Sequence, residues 1–223
     1  MGFLTGFEIN PHPQTPQAAV QALTGFATSI VSDVMGGRLI GSSDLRPVHR
    51  SVLMACGQAV TVRVRSGDNL MIHKALTTLQ PGDVLVVDGD GDTSRALVGE
   101  IMMSQAQSRG AVAFVIDGAV RDADSFETKR FPCWSRGIHL RGPYKDGPGS
   151  INVPVVVGGM RVNPGDIVLC DGDGVVAVPP EMAMQVAQMA QEKVDAERAT
   201  LAAIAAGTYN APWVDEALKA KGF

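Results

Sequence analysis

Apolar and polar positions alternate along this chain in two rhythms, one of helices and one of short strands. Residues 1–14 read as an irregular, proline-bearing arm. Thr15 is a good N-cap with Pro16 at the first helical position, and two helical pieces follow to about Met35, broken at Gly25 and ended by Gly36 and Gly37. From Gly57 the pattern turns β-like. Ala59 to Val64 alternates in part, and Gly67-Asp68-Asn69 opens a short helix to about Leu79. Ser94 to Arg109 has the length and composition of a helix, and Ala111 to Ile116 is a continuous apolar run of the buried-strand type. Val153–Val157, Ile167–Cys170 and Val175–Val178 read as further strands joined by short turns. Pro179-Pro180 then begins a long helix, about 180–206, with Met182, Val186, Met189, Val194 and Leu201 on its apolar side. Gly207 ends it, and a tail carrying Trp213 and Leu218 follows. No linker interrupts the pattern, so the reading is one mixed α/β domain over residues 1–223.

One stretch occurs twice. Pro81-Gly82-Asp83 leads an apolar strand into an acidic glycine turn at Asp88, and Pro164-Gly165-Asp166 does the same into Asp171. Turn chemistry alone can produce two such copies, and that is the simpler reading against a true duplication.

Composition narrows the function classes. Hydrophobic residues make up 45% and charged residues 19%, which suits a packed core. The net charge of −4 and the lack of a Lys/Arg run argue against a nucleic-acid partner. No apolar run is long enough for a membrane span, and the N-terminus lacks the pattern of a secretion signal. The three cysteines, Cys56, Cys133 and Cys170, are widely spaced, with neither a disulfide framework nor zinc-ligand spacing. They read as reduced thiols of a cytoplasmic protein.

Several motifs fail on inspection. Asp88, Asp90 and Asp92 begin like a calcium loop, but Thr93 stands at the sixth position and Gly99 at the twelfth. Gly89-Asp90-Gly91 does not complete a dinucleotide-binding loop, since Ser94 replaces its last glycine. His12, His49, His73 and His139 have no paired spacing, although His73 lies close to Asn69. The informative stretch is Gly99 to Asp122. It places Glu100 early on a helix and Arg121-Asp122 just past the carboxyl end of the next strand, where open α/β proteins bind small molecules. The bland alternative for Arg121-Asp122 is a salt-bridged turn in which Asp122 caps the following helix.

Glu100, twenty intervening residues and then Arg121-Asp122 resemble the signature of the RraA-like superfamily, specifically its class II pyruvate aldolases. Further similarity lies in Gly67-Asp68-Asn69, Gln80-Pro81-Gly82-Asp83, Phe131-Pro132-Cys133-Trp134, Gly149 to Pro154 and Asp173-Gly174-Val175-Val176. The resemblance implies a compact α/β sandwich of the swivelling phosphohistidine-domain type, assembled as a homotrimer or a dimer of trimers (a homohexamer). It implies metal-dependent cleavage of a 4-hydroxy-2-oxo acid, such as 4-hydroxy-4-methyl-2-oxoglutarate or 4-carboxy-4-hydroxy-2-oxoadipate, to pyruvate and a second 2-oxo acid. Oxaloacetate decarboxylation and a place in aromatic-acid degradation are implied with it. By the same resemblance Asp122 is the direct ligand of Mg²⁺ or Mn²⁺, while Glu100 and, from the neighbouring subunit, Glu197 act through water. Arg121 meets the ketone or carboxylate oxygens, and the amides near Gly99, Glu100, Ile101 and Met102 cradle the substrate carboxylate. Lys145 is either a surface lysine or a partner for a distal carboxylate. Two departures accompany the match: the acid is Glu100 where the family often has Asp, and the ending at Tyr209 to Trp213 is unlike that of the aldolases. The rival reading is a non-enzymatic regulator like the RraA proteins that bind an endoribonuclease; those lack the motif's acid, which is present here.

Overall fold

The computed structural model describes residues 6–223. Twelve strands and seven α-helices are defined among them. The strands are β1 (Phe7–Ile9), β2 (Arg46–Pro47), β3 (Ala55–Val64), β4 (Asp83–Asp88), β5 (Ala96–Val98), β6 (Ala113–Val120), β7 (Cys133–Ile138), β8 (Gly149–Ile151), β9 (Val155–Val157), β10 (Met160–Val162), β11 (Ile167–Cys170) and β12 (Val175–Val178). The helices are α1 (Gln17–Leu23), α2 (Thr28–Val34), α3 (Leu70–Leu76), α4 (Glu100–Ser108), α5 (Ala123–Thr128), α6 (Ala183–Ala205), which a short 3₁₀ turn at Pro180–Met182 precedes, and α7 (Pro212–Ala220).

The main sheet runs β1-β8-β3-β4-β6-β7-β2, with β11 and β12 continuing from β3 and β5 added beside β6. Its centre, β3-β4-β6-β7, is parallel. A parallel centre must be covered on both faces, and the period-two alternation of side chains does this. Val60, Val62, Leu85, Val87, Phe114 and Ile116 join the helical layer containing Ile72, Met103 and Phe126. Their neighbours Ala59, Val84, Val86 and Val115 pack the opposite way, against Trp134 and the β9–β10 hairpin. A third cluster seats α1, α2 and the start of α6 on β11 and β12. Beyond Ala190 no side chain of α6 or α7 is buried within the chain.

Three expectations change here. The arm over residues 1–14 is not irregular throughout, because Phe7–Ile9 pairs in parallel with Gly149–Ile151; residues 1–5 lie outside the described residues. The helix expected over 94–109 is shorter, since Ala96–Val98 is a strand and Glu100 is the first helical residue. The tail after Gly207 also winds into α7. The repeated stretch has a simple cause. β4 and β11 flank β3 on opposite edges, Asp83 and Ile167 both standing opposite Gln58. The turns are closed alike: Asp83 Oδ2 accepts the Gln80 N–H and Asp166 Oδ2 the Asn163 N–H, each at 2.7 Å. The first copy runs parallel to β3 and the second antiparallel, so the shared feature is the aspartate-closed turn.

Candidate active site

β5 and β6 are adjacent and parallel, with Val98 paired to Val120, so both end at the same edge. The chain leaves β5 through Gly99 into α4, and leaves β6 through Arg121 and Asp122 into α5. Residues separated by one helix and one strand therefore meet. The backbone N–H of Arg121 donates to the Val98 carbonyl at 3.0 Å and fixes the junction.

Asp122 occupies the N-cap position of α5 in a left-handed conformation, φ 57°, yet makes no side-chain cap bond to that helix. Its Oδ2 instead accepts the Glu100 N–H at 2.9 Å, capping α4. The capping-turn alternative thus fails for α5, and the carboxylate is drawn to the junction. Arg121 Nε stands 3.8 Å from the same Oδ2. Gly99 makes this approach possible, because a Cβ there would lie 2.5 Å from Asp122 Oδ2 and 2.9 Å from Arg121 Cγ. The amides of Ile101 and Met102, in the first turn of α4, have no hydrogen-bond partner among the described residues. They are free donors at the positive end of a helix dipole, a place suited to a carboxylate.

These groups border a cavity of about 380 Å³, walled also by Asn69, His73 and Lys145. Asn69 Nδ2 donates to the Leu97 carbonyl at 2.9 Å, while its buried Oδ1 has no partner. Glu100 turns its carboxylate to Lys129, Oε1 lying 2.9 Å from Nζ. Hydrogen bonds from Lys129 and Ser125, with the Lys129 charge, hold Glu100 below the ordinary carboxylate range, so it is ionised at neutral pH. Burial, and then the charge of Lys145, lowers the pKa of His73 below the usual imidazole value.

The structure thus brings together Gly99, Ile101, Met102, Arg121 and Asp122, whereas Glu100 joins them only through its backbone N–H, its carboxylate being held by Lys129 outside the cavity lining. It does not bring Glu197 to them within one chain. Glu197 stands on α6, outside the cavity, with Oε1 3.2 Å from Lys193 Nζ. Among the described residues no group of three His, Cys, Asp or Glu could hold a metal ion. The Asp122 carboxylate at the cavity is a hard oxygen donor, and it stands alone there, too sparse for a closed cage. That donor set fits Mg²⁺ or Mn²⁺, which take one or two carboxylates and complete their shell from water and substrate oxygens. It does not fit a zinc site. The walls supplied by Asn69, Gly142 and Pro143 were not assigned from sequence; His73 stood out only for its closeness to Asn69, and Lys145 was read as either a surface lysine or a partner for a distal carboxylate. They arrive through long-range contacts: the Asn69 N–H donates to the Tyr144 carbonyl at 3.0 Å.

A family model for RraA-like proteins, described as Aldolase/RraA, matches residues 28–177. The chain belongs to the RraA-like family. One relative in Halalkalibacterium halodurans, provisionally named 4-hydroxy-4-methyl-2-oxoglutarate aldolase, is 37% identical over 180 residues, covering 79% of this chain and 85% of its own. Among solved structures, a protein of Pseudomonas syringae pv. tomato superposes with a TM-score of 0.80 at 26% identity, over 90% of this chain and 94% of that one. Streptomyces coelicolor RraAS2, described as an unusual member of the RNase ES inhibitor RraA family, superposes at 0.76 with 25% identity, over 84% and 98%. The RraA-like α/β fold expected from the sequence is therefore the one observed. No helix among the described residues is long and apolar enough to cross a membrane.

Proposed function

We propose that this RraA-like protein is a class II pyruvate aldolase. It cleaves a 4-hydroxy-2-oxo di- or tricarboxylic acid to pyruvate and a second 2-oxo acid, with oxaloacetate decarboxylation as a side activity. The observation that carries the reading is the bond from the Glu100 N–H to Asp122. It holds Arg121, Asp122 and the free amides of α4 at the mouth of one cavity. Relatives named as aldolases support the same reaction class.

In this reading the N–H groups of Ile101 and Met102 bind the substrate's C1 carboxylate. The Arg121 guanidinium faces the C2 oxygen, where negative charge develops as the C3–C4 bond breaks and its electron pair passes into the pyruvate enolate. Loss of carbon dioxide from oxaloacetate leaves the same enolate. The proton of the 4-hydroxyl passes to a water held between acidic side chains, Glu100 from this chain and Glu197 from a neighbouring copy in a trimer or dimer of trimers, and the enolate carbon then takes a proton back from water to give pyruvate. A bound Mg²⁺ or Mn²⁺, held directly by Asp122 and through water by Glu100 and Glu197, would supply Lewis-acid polarisation of the oxo-acid oxygens.

A second reading, a non-enzymatic regulator that contacts an endoribonuclease, draws on the likeness to RraAS2. The test is pyruvate release from 4-hydroxy-4-methyl-2-oxoglutarate and from oxaloacetate, with Mg²⁺ and with a chelator, above the metal-only background. Chelator-sensitive release supports the aldolase. No release from either substrate overturns it and favours the regulator.

A further inference from the structure

The two acids of the motif each stand beside a cation of their own. Asp122 Oδ2 lies 3.8 Å from Arg121 Nε, and Glu100 Oε1 lies 2.9 Å from Lys129 Nζ. Glu100 is therefore split between two places. Its backbone N–H is fixed at the cavity by Asp122, while its carboxylate is turned to α5. An acid that serves a water at the cavity mouth must leave that second place.

Lys129 is built to hold it there. It is the first residue after α5, and its N–H donates to the Ser125 carbonyl at 3.0 Å. Its ammonium also donates to Ser104 Oγ at 2.8 Å, one turn along α4 from Glu100, and that hydroxyl donates in turn to the Glu100 carbonyl at 2.8 Å. The Ser125 hydroxyl adds a hydrogen bond to the Glu100 carboxylate. The ion pair is not what joins the two helices, since Met103 and Ala106 of α4 and Phe126 of α5 are fully buried in one apolar cluster. Of the pair itself, 46% of the Glu100 side chain and 37% of the Lys129 side chain are open to water, where ion pairs are weak. Rotation about the Glu100 side-chain bonds thus moves the carboxylate at small cost. Two anions aimed at one empty mouth repel each other; Lys129 draws one of them off, and a dication makes their approach favourable again.

We propose that Lys129 is a positioning residue that competes with a divalent cation for the Glu100 carboxylate, so that the empty site keeps this acid parked on α5 and the loaded site recovers it. The inference rests on the metal-dependent aldolase reading. It assigns a role to a residue outside both the motif and the cavity wall, and it gives that role a sign: Lys129 weakens metal binding.

The test is Mn²⁺ binding to the full chain, read from the electron paramagnetic resonance signal of the free ion, in a double-mutant cycle. Lys129→Met tightens binding by about three- to tenfold, and Lys129→Arg, which keeps the charge, stays near the wild-type value. Glu100→Gln retains the backbone N–H that Asp122 accepts, and in that background Lys129→Met changes the affinity by less than about 1.5-fold. A tightening that persists beside Glu100→Gln reports only the loss of a nearby positive charge and overturns the proposal. So does a Lys129→Met affinity equal to or weaker than that of the wild type. A wild type that binds no Mn²⁺ overturns the metal-dependent reading and this inference with it, whereas Mn²⁺ binding that ignores Lys129 overturns the inference alone.

Discussion

Replacing Gly99 by alanine is the sharpest perturbation of the site, since it adds one methyl group and no charge. The backbone there, φ −154° and ψ −164°, is extended and accepts alanine. The cost is therefore contact rather than conformation. The new Cβ would lie 2.5 Å from Asp122 Oδ2, where ordinary contact begins at about 3.4 Å, so the carboxylate must retreat by about 0.9 Å. Arg121 Cγ, at 2.9 Å from the same point, must give as well. Such a retreat lengthens the 2.9 Å bond from the Glu100 N–H beyond hydrogen-bonding range and turns Asp122 away from the α4 amides. A misplacement on the order of 1 Å costs about 100-fold in rate when geometry is the source of catalysis. Stability suffers less: overpacking costs about 1–3 kcal/mol, and the half-exposed loop can absorb part of it. The assay is pyruvate release coupled to a lactate dehydrogenase, alongside thermal unfolding. Expected are a rate near one hundredth of wild type and a small loss of Tm. Cleavage within threefold of wild type would refute the view that the Gly99–Asp122 approach organises this site.

Other consequences can be measured on the same preparation. Arg121→Ala should lower kcat by about 10²–10³-fold, as for loss of a charge-stabilising donor, with the unfolding curve unchanged; near-normal turnover would remove Arg121 from the chemistry. His73 has a folded pKa below its ordinary 6.5, so the unfolded chain takes up that proton more readily. Its contribution to stability is complete above 6.5 and declines as pH falls below it; His73→Gln should flatten that part of the stability–pH curve, and an unaltered slope would contradict the burial argument. Phe126 is fully buried on α5, with ring centroids 6.3 Å from Phe114 and 6.5 Å from Phe131. Phe126→Ala should cost about 3–5 kcal/mol in denaturant unfolding, and a cost under about 1 kcal/mol would show that the helical layer repacks freely.

How far the sequence could be read depended on the range of the interactions that fix each part. Arg121-Asp122 and Glu100 were legible because one helix and one parallel strand, both local patterns, return the chain to the edge it left. The carboxyl-end position of Arg121-Asp122 and the long helix ending near residue 206 followed from the same local rules. Ala96–Val98 was absorbed into the expected helix, since three residues hold no periodicity and this strand exists only through its pairing with β6. Phe7–Ile9 was missed for the same reason, its partner lying 142 residues on at Gly149–Ile151. The side-chain choice of Asp122 was also hidden. An aspartate before a helix ordinarily caps that helix, and only the closeness permitted by Gly99 diverts it to α4. Asn69 and Lys145 meet across more than seventy residues through main-chain bonds, which leave no trace in residue type.

The left-handed backbone of Asp122 bears on how this position can vary over evolutionary time. Two independent filters act on it. Under the proposed aldolase reading, one requires an oxygen-bearing anion at the cavity mouth; the other admits only residues at ease with a φ of 57°. Glutamate passes the first and strains the second, alanine fails both, and asparagine meets the second while losing the charge. Glu100, in ordinary helical conformation, has no second filter. Exchange between its two acidic forms is open there.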